Sequence, residues 1–131
     1  MKILVVDDNQ LGRQMLAHAL RSYGELRLAS SGEEAIESFK QAWAEEAPFD
    51  VIFMDIMMPG VDGQEALRQL RTWEAEHQAQ PQVKVVMSTV LADKENIQTS
   101  FKAGAEYYLV KPFELKRLAE VMANLGFPKP A

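Results

Sequence analysis

The 131-residue chain contains no cysteine, which excludes disulfides and thiolate metal sites and fits a reducing, cytoplasmic setting. Its apolar runs are far shorter than the ~18 residues that span a bilayer, and no charged-then-apolar leader opens it, so no membrane role is expected. Basic residues are not in excess. The 14 Lys and Arg against 19 Asp and Glu leave a net charge of −5, which argues against direct nucleic-acid binding but not against a basic protein partner. Internal repeats, low-complexity segments and a second domain are also missing. What is present is one domain's worth of chain, long enough to bury a sound core.

The most informative stretch is Val51 to Gly63, VIFMDIMMPGVDG. Its short apolar run reads as a strand buried on both faces, as in a parallel sheet covered by helices, and delivers one carboxylate, Asp55, at its end. Four further strands are expected over Lys2–Val6, Glu25–Ala29, Val83–Met87 and Glu106–Val110, the second being the weakest. Helical spacing predicts helices over Leu11–Leu20, from a start within Ser30–Glu34 to about Glu46, from Asp62 or Gly63 to His77, from Ala92 or Asp93 to Gly104, and over Glu114–Leu125. Gly24 reads as the C-terminal stop of the first helix, and the residues from Gly126 as a frayed tail. The seven methionines read as core, and His18 and His77 as solvent-facing. Alternating strands and helices give a parallel α/β sheet with right-handed crossovers.

Parallel strands end side by side, at the edge where α/β proteins bind ligands. The expected ends bring together Asp7 and Asp8, Asp55, Ser88 and Thr89, and Lys111. Three clustered carboxylates repel unless a cation sits among them, and Mg²⁺, a hard ion that prefers oxygen ligands, suits them. A lysine and a hydroxyl beside it suit a phosphoryl group. Taken singly, each residue has a plainer role. Asp8 or Asn9 can cap the following helix, Thr89 can be a turn hydroxyl, Lys111 a solvated strand end and Asp55 an ordinary loop acid. Their joint placement on one edge favours a site.

With these residues in place, the chain resembles the receiver domain of bacterial two-component response regulators. The resemblance rests on ILVVDDN, on VIFMDIMMPGVDG, on the hydroxyl after the fourth strand and on the run Gly104–Phe113 ending in KPF. It implies a flavodoxin-like, doubly wound sheet of order 2-1-3-4-5, covering residues 1–126, with 127–131 as a tail. It also implies roles. Asp55 is the phosphoacceptor, Asp8 and Asp55 are direct Mg²⁺ ligands with the backbone carbonyl of Met57, and Asp7 acts through a metal-bound water. Lys111, Thr89 and the backbone N–H of Val90 bind the phosphoryl group. The family spacing from Lys111 selects Thr89 over Ser88 as the switch hydroxyl and Tyr108 over Tyr107 as its aromatic partner. The Lys111–Pro112 bond is expected to be cis. The implied partners are a histidine kinase or phosphotransfer protein, and an output partner on the face formed by the fourth helix, fifth strand and fifth helix. A homodimer is compatible with the same face.

Departures from the family pattern carry expectations of their own. Val90 stands where a small residue is usual and should narrow access to Asp55. Met57 and Leu91 cannot hydrogen-bond a hydrolytic water, so the phosphorylated form should decay slowly. Two other readings compete. A Mg²⁺-dependent phosphatase of haloacid-dehalogenase type wants a second acid two residues beyond its nucleophile, where Met57 stands. An unphosphorylated pseudo-receiver, acting as a binding module, sits poorly with intact Asp7, Asp8, Asp55, Thr89 and Lys111.

Overall fold

Five strands alternate with five helices along the chain, and the structure, a computed structural model, describes residues 1–90 and 93–129. The strands are β1 (Lys2–Val6), β2 (Glu25–Ala29), β3 (Val51–Asp55), β4 (Lys84–Thr89) and β5 (Tyr107–Val110). The helices are α1 (Gln10–Leu20), α2 (Gly32–Ala44), α3 (Gly63–His77), α4 (Lys94–Ala103) and α5 (Leu115–Asn124). The strands form one parallel sheet in the order β2-β1-β3-β4-β5, so the expected topology is the one found.

Side chains alternate across each strand and divide the core into two layers. Leu4, Val6, Ile52, Met54, Val85 and Met87 face α2 and α3, with Phe39, Leu67 and Leu70 filling the space between. Ile3, Val5, Phe53, Val86 and Leu109 face the other way, against Leu16 and Leu20 of α1 and Leu118 and Val121 of α5. Burial on both faces is why β3 is apolar without interruption until Asp55. In the first layer Trp73 meets Phe39 edge-on at 5.5 Å and Trp43 at 6.3 Å, and the exposed His77 ring stacks on it at 4.2 Å.

Helix starts follow capping chemistry. Asn9, Ser31, Asp62 and Asp93 each accept a backbone N–H from the first turn of α1, α2, α3 and α4. Several local expectations need correction. Gly24 is not a left-handed stop: α1 ends at Leu20 through a turn, and Gly24 instead lies where a Cβ would come within 2.2 Å of the Met1 carbonyl. Gly126 does take the left-handed conformation, with φ +95°, and the Phe127 N–H returns to the Met122 carbonyl at 2.8 Å. Phe127 therefore packs on the second core layer rather than fraying. Met15 and Met57 are each 58% exposed and are surface residues, as is Met1. Both Gln80–Pro81 and Lys111–Pro112 are cis, the second as expected. Ala92, the alternative start of α4, and Leu91 lie outside the described residues.

Candidate functional site

The C-terminal ends of β1, β3 and β4 and the residue after β5 meet at one edge of the sheet. Asp7 follows β1 directly and is buried. One of its oxygens accepts the Asn9 N–H at 2.9 Å, the other lies 2.5 Å from Lys111 Nζ, and Arg13 donates to its backbone carbonyl at 2.8 Å. Because Asn9 does the capping, with Oδ1 2.9 Å from the Gly12 nitrogen, the exposed Asp8 is left free of that duty. Gly12 lets the first turn of α1 close on the site, since a Cβ there would lie 2.9 Å from an Asp7 carboxylate oxygen.

Asp55 is the last residue of β3 and is 9% exposed. Its Oδ1 accepts the Met57 N–H at 3.3 Å and its Oδ2 lies 3.5 Å from Lys111 Nζ. Burial raises the Asp55 carboxyl above the usual aspartate range; the Lys111 charge opposes this and the Asp7 charge adds to it. Carboxylate oxygens of Asp7, Asp8 and Asp55 all lie within 4.8 Å of one another. Lys111 offsets one of three negative charges, so the donor set fits a divalent cation that takes oxygen ligands. Met57 and Asp8 border the same groove of about 600 Å³, which Asp62, Gln64 and Asn96 also line.

Thr89 is the last residue of β4 and is buried. Strand alternation puts it on the sheet face of Met87, while Ser88 shares the face of Val86. Tyr108 lies on the Thr89 face and packs in the first core layer. Burial raises the Tyr108 hydroxyl above its ordinary range, and the Asp93 charge pushes the same way. Val90, just beyond β4, is 67% exposed.

This arrangement agrees with what the chain is similar to. Residues 3–123 match the model of the response regulator receiver domain. The chain belongs to this family. The receiver is 41% identical over 113 residues to the transcriptional regulatory protein ResD of Bacillus subtilis, a match covering 86% of this chain and 42% of ResD. It spans only 7–13% of the hybrid and sensor kinases it also matches. Among solved structures, the receiver domain of the histidine kinase CKI1 from Arabidopsis thaliana, complexed with Mg²⁺ and BeF₃⁻, superposes with a TM-score of 0.83 at 29% identity, covering 95% of this chain and 89% of that one. The receiver domain of Ssk1 from Saccharomyces cerevisiae, crystallised with the histidine phosphotransfer protein Ypd1, gives 0.84 at 28% identity, covering 96% and 88%.

The residues named from the sequence do converge: Asp7, Asp8, Asp55 and Lys111 form one cluster, with Thr89 closing the adjacent strand. Sequence reasoning passed over the supports of this receiver site. Arg13 belongs to no motif, and its contact with the Asp7 carbonyl depends on how α1 docks. Glu33, an acid in the first turn of α2, also belongs to no site motif, yet its carboxylate reaches the loop after β3.

Proposed function

We propose that this receiver takes a phosphoryl group from a phosphohistidine of a partner protein onto Asp55, and uses the modification to switch a binding surface. The observation that carries the reading is Asp55 at the end of a buried strand, held between an ammonium and two further carboxylates. A carboxylate oxygen of Asp55 attacks phosphorus in line, the P–N bond breaks, and its electron pair leaves with the imidazole nitrogen, which then takes up a proton. Asp8, Asp55 and the Met57 carbonyl would hold Mg²⁺ directly, and Asp7 through a water. The bound ion would screen the phosphoryl oxygens from the three carboxylates. Lys111 Nζ, poised between Asp7 and Asp55, moves onto a phosphoryl oxygen, and the Val90 N–H and Thr89 hydroxyl supply further donors.

A protein donor is favoured by the surface next to the site. An apolar groove of about 730 Å³, bordered by Met15, Ala19, Val90, Pro112, Phe113 and Leu115, runs up to Lys111. Val90, at the mouth, narrows access for bulky groups. The Ssk1 receiver, of the same fold, is crystallised against a histidine phosphotransfer protein. Thr89 and Tyr108 share one sheet face, so drawing Thr89 toward a phosphoryl group alters the packing around Tyr108 and biases the surface of α4, β5 and α5. Moving such a surface from mostly off to mostly on takes ~5.5 kcal/mol. Two or three charge-assisted contacts at ~1.5–3 kcal/mol each reach that range. Met57 presents a thioether to solvent and cannot orient a hydrolytic water, so the acyl phosphate decays slowly.

Incubation with acetyl phosphate and Mg²⁺, read by intact mass, tests the reading. Wild type gains one phosphoryl mass, Asp55→Asn gains none, and omission of Mg²⁺ suppresses the gain. An equal gain in Asp55→Asn would refute Asp55 as acceptor, and loss of the label within seconds would refute slow decay.

A further inference from the structure

The loop from Ile56 to Asp62 bears the Met57 carbonyl, and its shape fixes where that oxygen points. Its ends are tied by the Gly63 N–H to the Ile56 carbonyl at 2.9 Å and by Asp62, which caps α3. Within it, Gly60 sits at φ +75°, a conformation that other residues adopt with strain. The next residue, Val61, donates its N–H to Glu33 Oε1 at 2.9 Å, a contact spanning 28 residues of sequence.

The cap of α2 does not depend on Glu33 alone. Ser31 caps α2 through the Glu34 N–H at 3.1 Å, and the Glu34 carboxylate returns to the Ser30 hydroxyl at 2.9 Å. The Glu33 carboxylate, besides meeting its own N–H and Ser31, reaches out to the loop, and the surroundings are shaped for it. A Cβ on Gly60 would lie 2.8 Å from Glu33 Oε1, and a Cβ on Gly32 would lie 2.3 Å from the Val61 carbonyl. The start of α2 is thus pressed against Gly60 and Val61 of the loop, through the Glu33 carboxylate and the Gly32 backbone. Backbone N–H groups, that of Val61 foremost, hold the Glu33 carboxyl below its usual range and keep it an acceptor.

We propose that Glu33 is a positioning residue: by holding Val61 it fixes the loop that presents the Met57 carbonyl, and so sets the affinity of the carboxylate cluster for its cation. The inference rests on the metal reading above. Supports of this kind tune affinity without touching the ion.

Two measurements on wild type, Glu33→Ala and Glu33→Gln test it. Isothermal titration gives the Mg²⁺ affinity, and amide exchange of Val61 in metal-free protein reports the contact itself. Glu33→Ala weakens Mg²⁺ binding by about three- to tenfold, the range for losing one solvent-exposed hydrogen bond, and speeds Val61 exchange. Glu33→Gln keeps a carbonyl acceptor and returns both to near wild type. At saturating Mg²⁺, the phosphorylation rate of Glu33→Ala recovers. Unchanged Mg²⁺ affinity in Glu33→Ala overturns the proposal, as does a Gln variant as weak as Ala, which would assign the effect to charge alone. If wild type binds no Mg²⁺, the metal reading itself fails. That outcome stays distinct, because Val61 exchange is measured without metal.

Discussion

At Asp55 the fold holds a carboxylate where burial disfavours its charge. The sign of the consequence follows from linkage. A carboxyl whose folded value is raised lends stability while it is protonated, and that stability is lost as pH rises from about 3.9, the ordinary aspartate value, through the raised value. Metal-free Asp55→Asn should therefore be more stable than wild type at neutral pH, with the gap closing toward pH 3. Thermal melts in EDTA across that range check it, and a variant less stable than wild type at pH 7 would show that the Lys111 attraction outweighs burial. At this scale the sequence was only half legible. Asp8 and Asn9 are equally good caps by residue type, and docking of α1 decided between them. Ser88 and Thr89 were separated only by the spacing that the family resemblance supplies, and the strand puts the two on opposite faces.

Helix α3 shows what periodicity leaves unread. Arg71 and Glu74 look like an ordinary surface pair three residues apart, but the Glu74 side chain is fully buried and that of Arg71 is 15% exposed. Arg71 donates to Glu74 at 2.8 Å, to the Val83 carbonyl at 2.8 Å, to the Gly104 carbonyl at 2.8 Å and to Glu106 at 3.0 Å. Glu74 in turn accepts the Val83 N–H, and Glu106 accepts the Val85 N–H, which is why β4 and β5 start one residue later than apolar patterning predicts. One guanidinium joins α3 to the end of α4 and to the entrances of two strands. Arg71→Met strands a buried carboxylate and should cost about 3–5 kcal/mol, read from urea denaturation. Adding Glu74→Leu should recover part of that loss, because the uncompensated charge goes too. A cost below 1 kcal/mol would show water replacing the guanidinium.

For the whole molecule, three carboxylates against one ammonium predict that folding and Mg²⁺ binding are linked. With Mg²⁺ at a hundred times its dissociation constant, the folded state should gain about 2.7 kcal/mol, which for a chain of this size should raise the melting temperature by about 10 °C. Asp8→Ala should abolish the rise, and scanning calorimetry with Mg²⁺ and with EDTA measures it. Architecture was the most legible property. Apolar inner strands such as β1 and β3, separated by amphipathic helices, leave a covered parallel sheet as the arrangement that buries both, and the site follows from where parallel strands end. Least legible were supports set by packing between distant segments, such as Arg13 on Asp7 and Glu33 on Val61.

The two tryptophans give this layering an optical meaning. Trp43 and Trp73 belong to α2 and α3, on one side of the sheet, and the opposite layer of α1 and α5 contains neither. Trp73 touches both Phe39 and the exposed ring of His77. Intrinsic emission is therefore a one-sided gauge. It should follow movement of α3, which begins just after the loop that leaves Asp55, and the sheet separates it from the apolar groove beside α1.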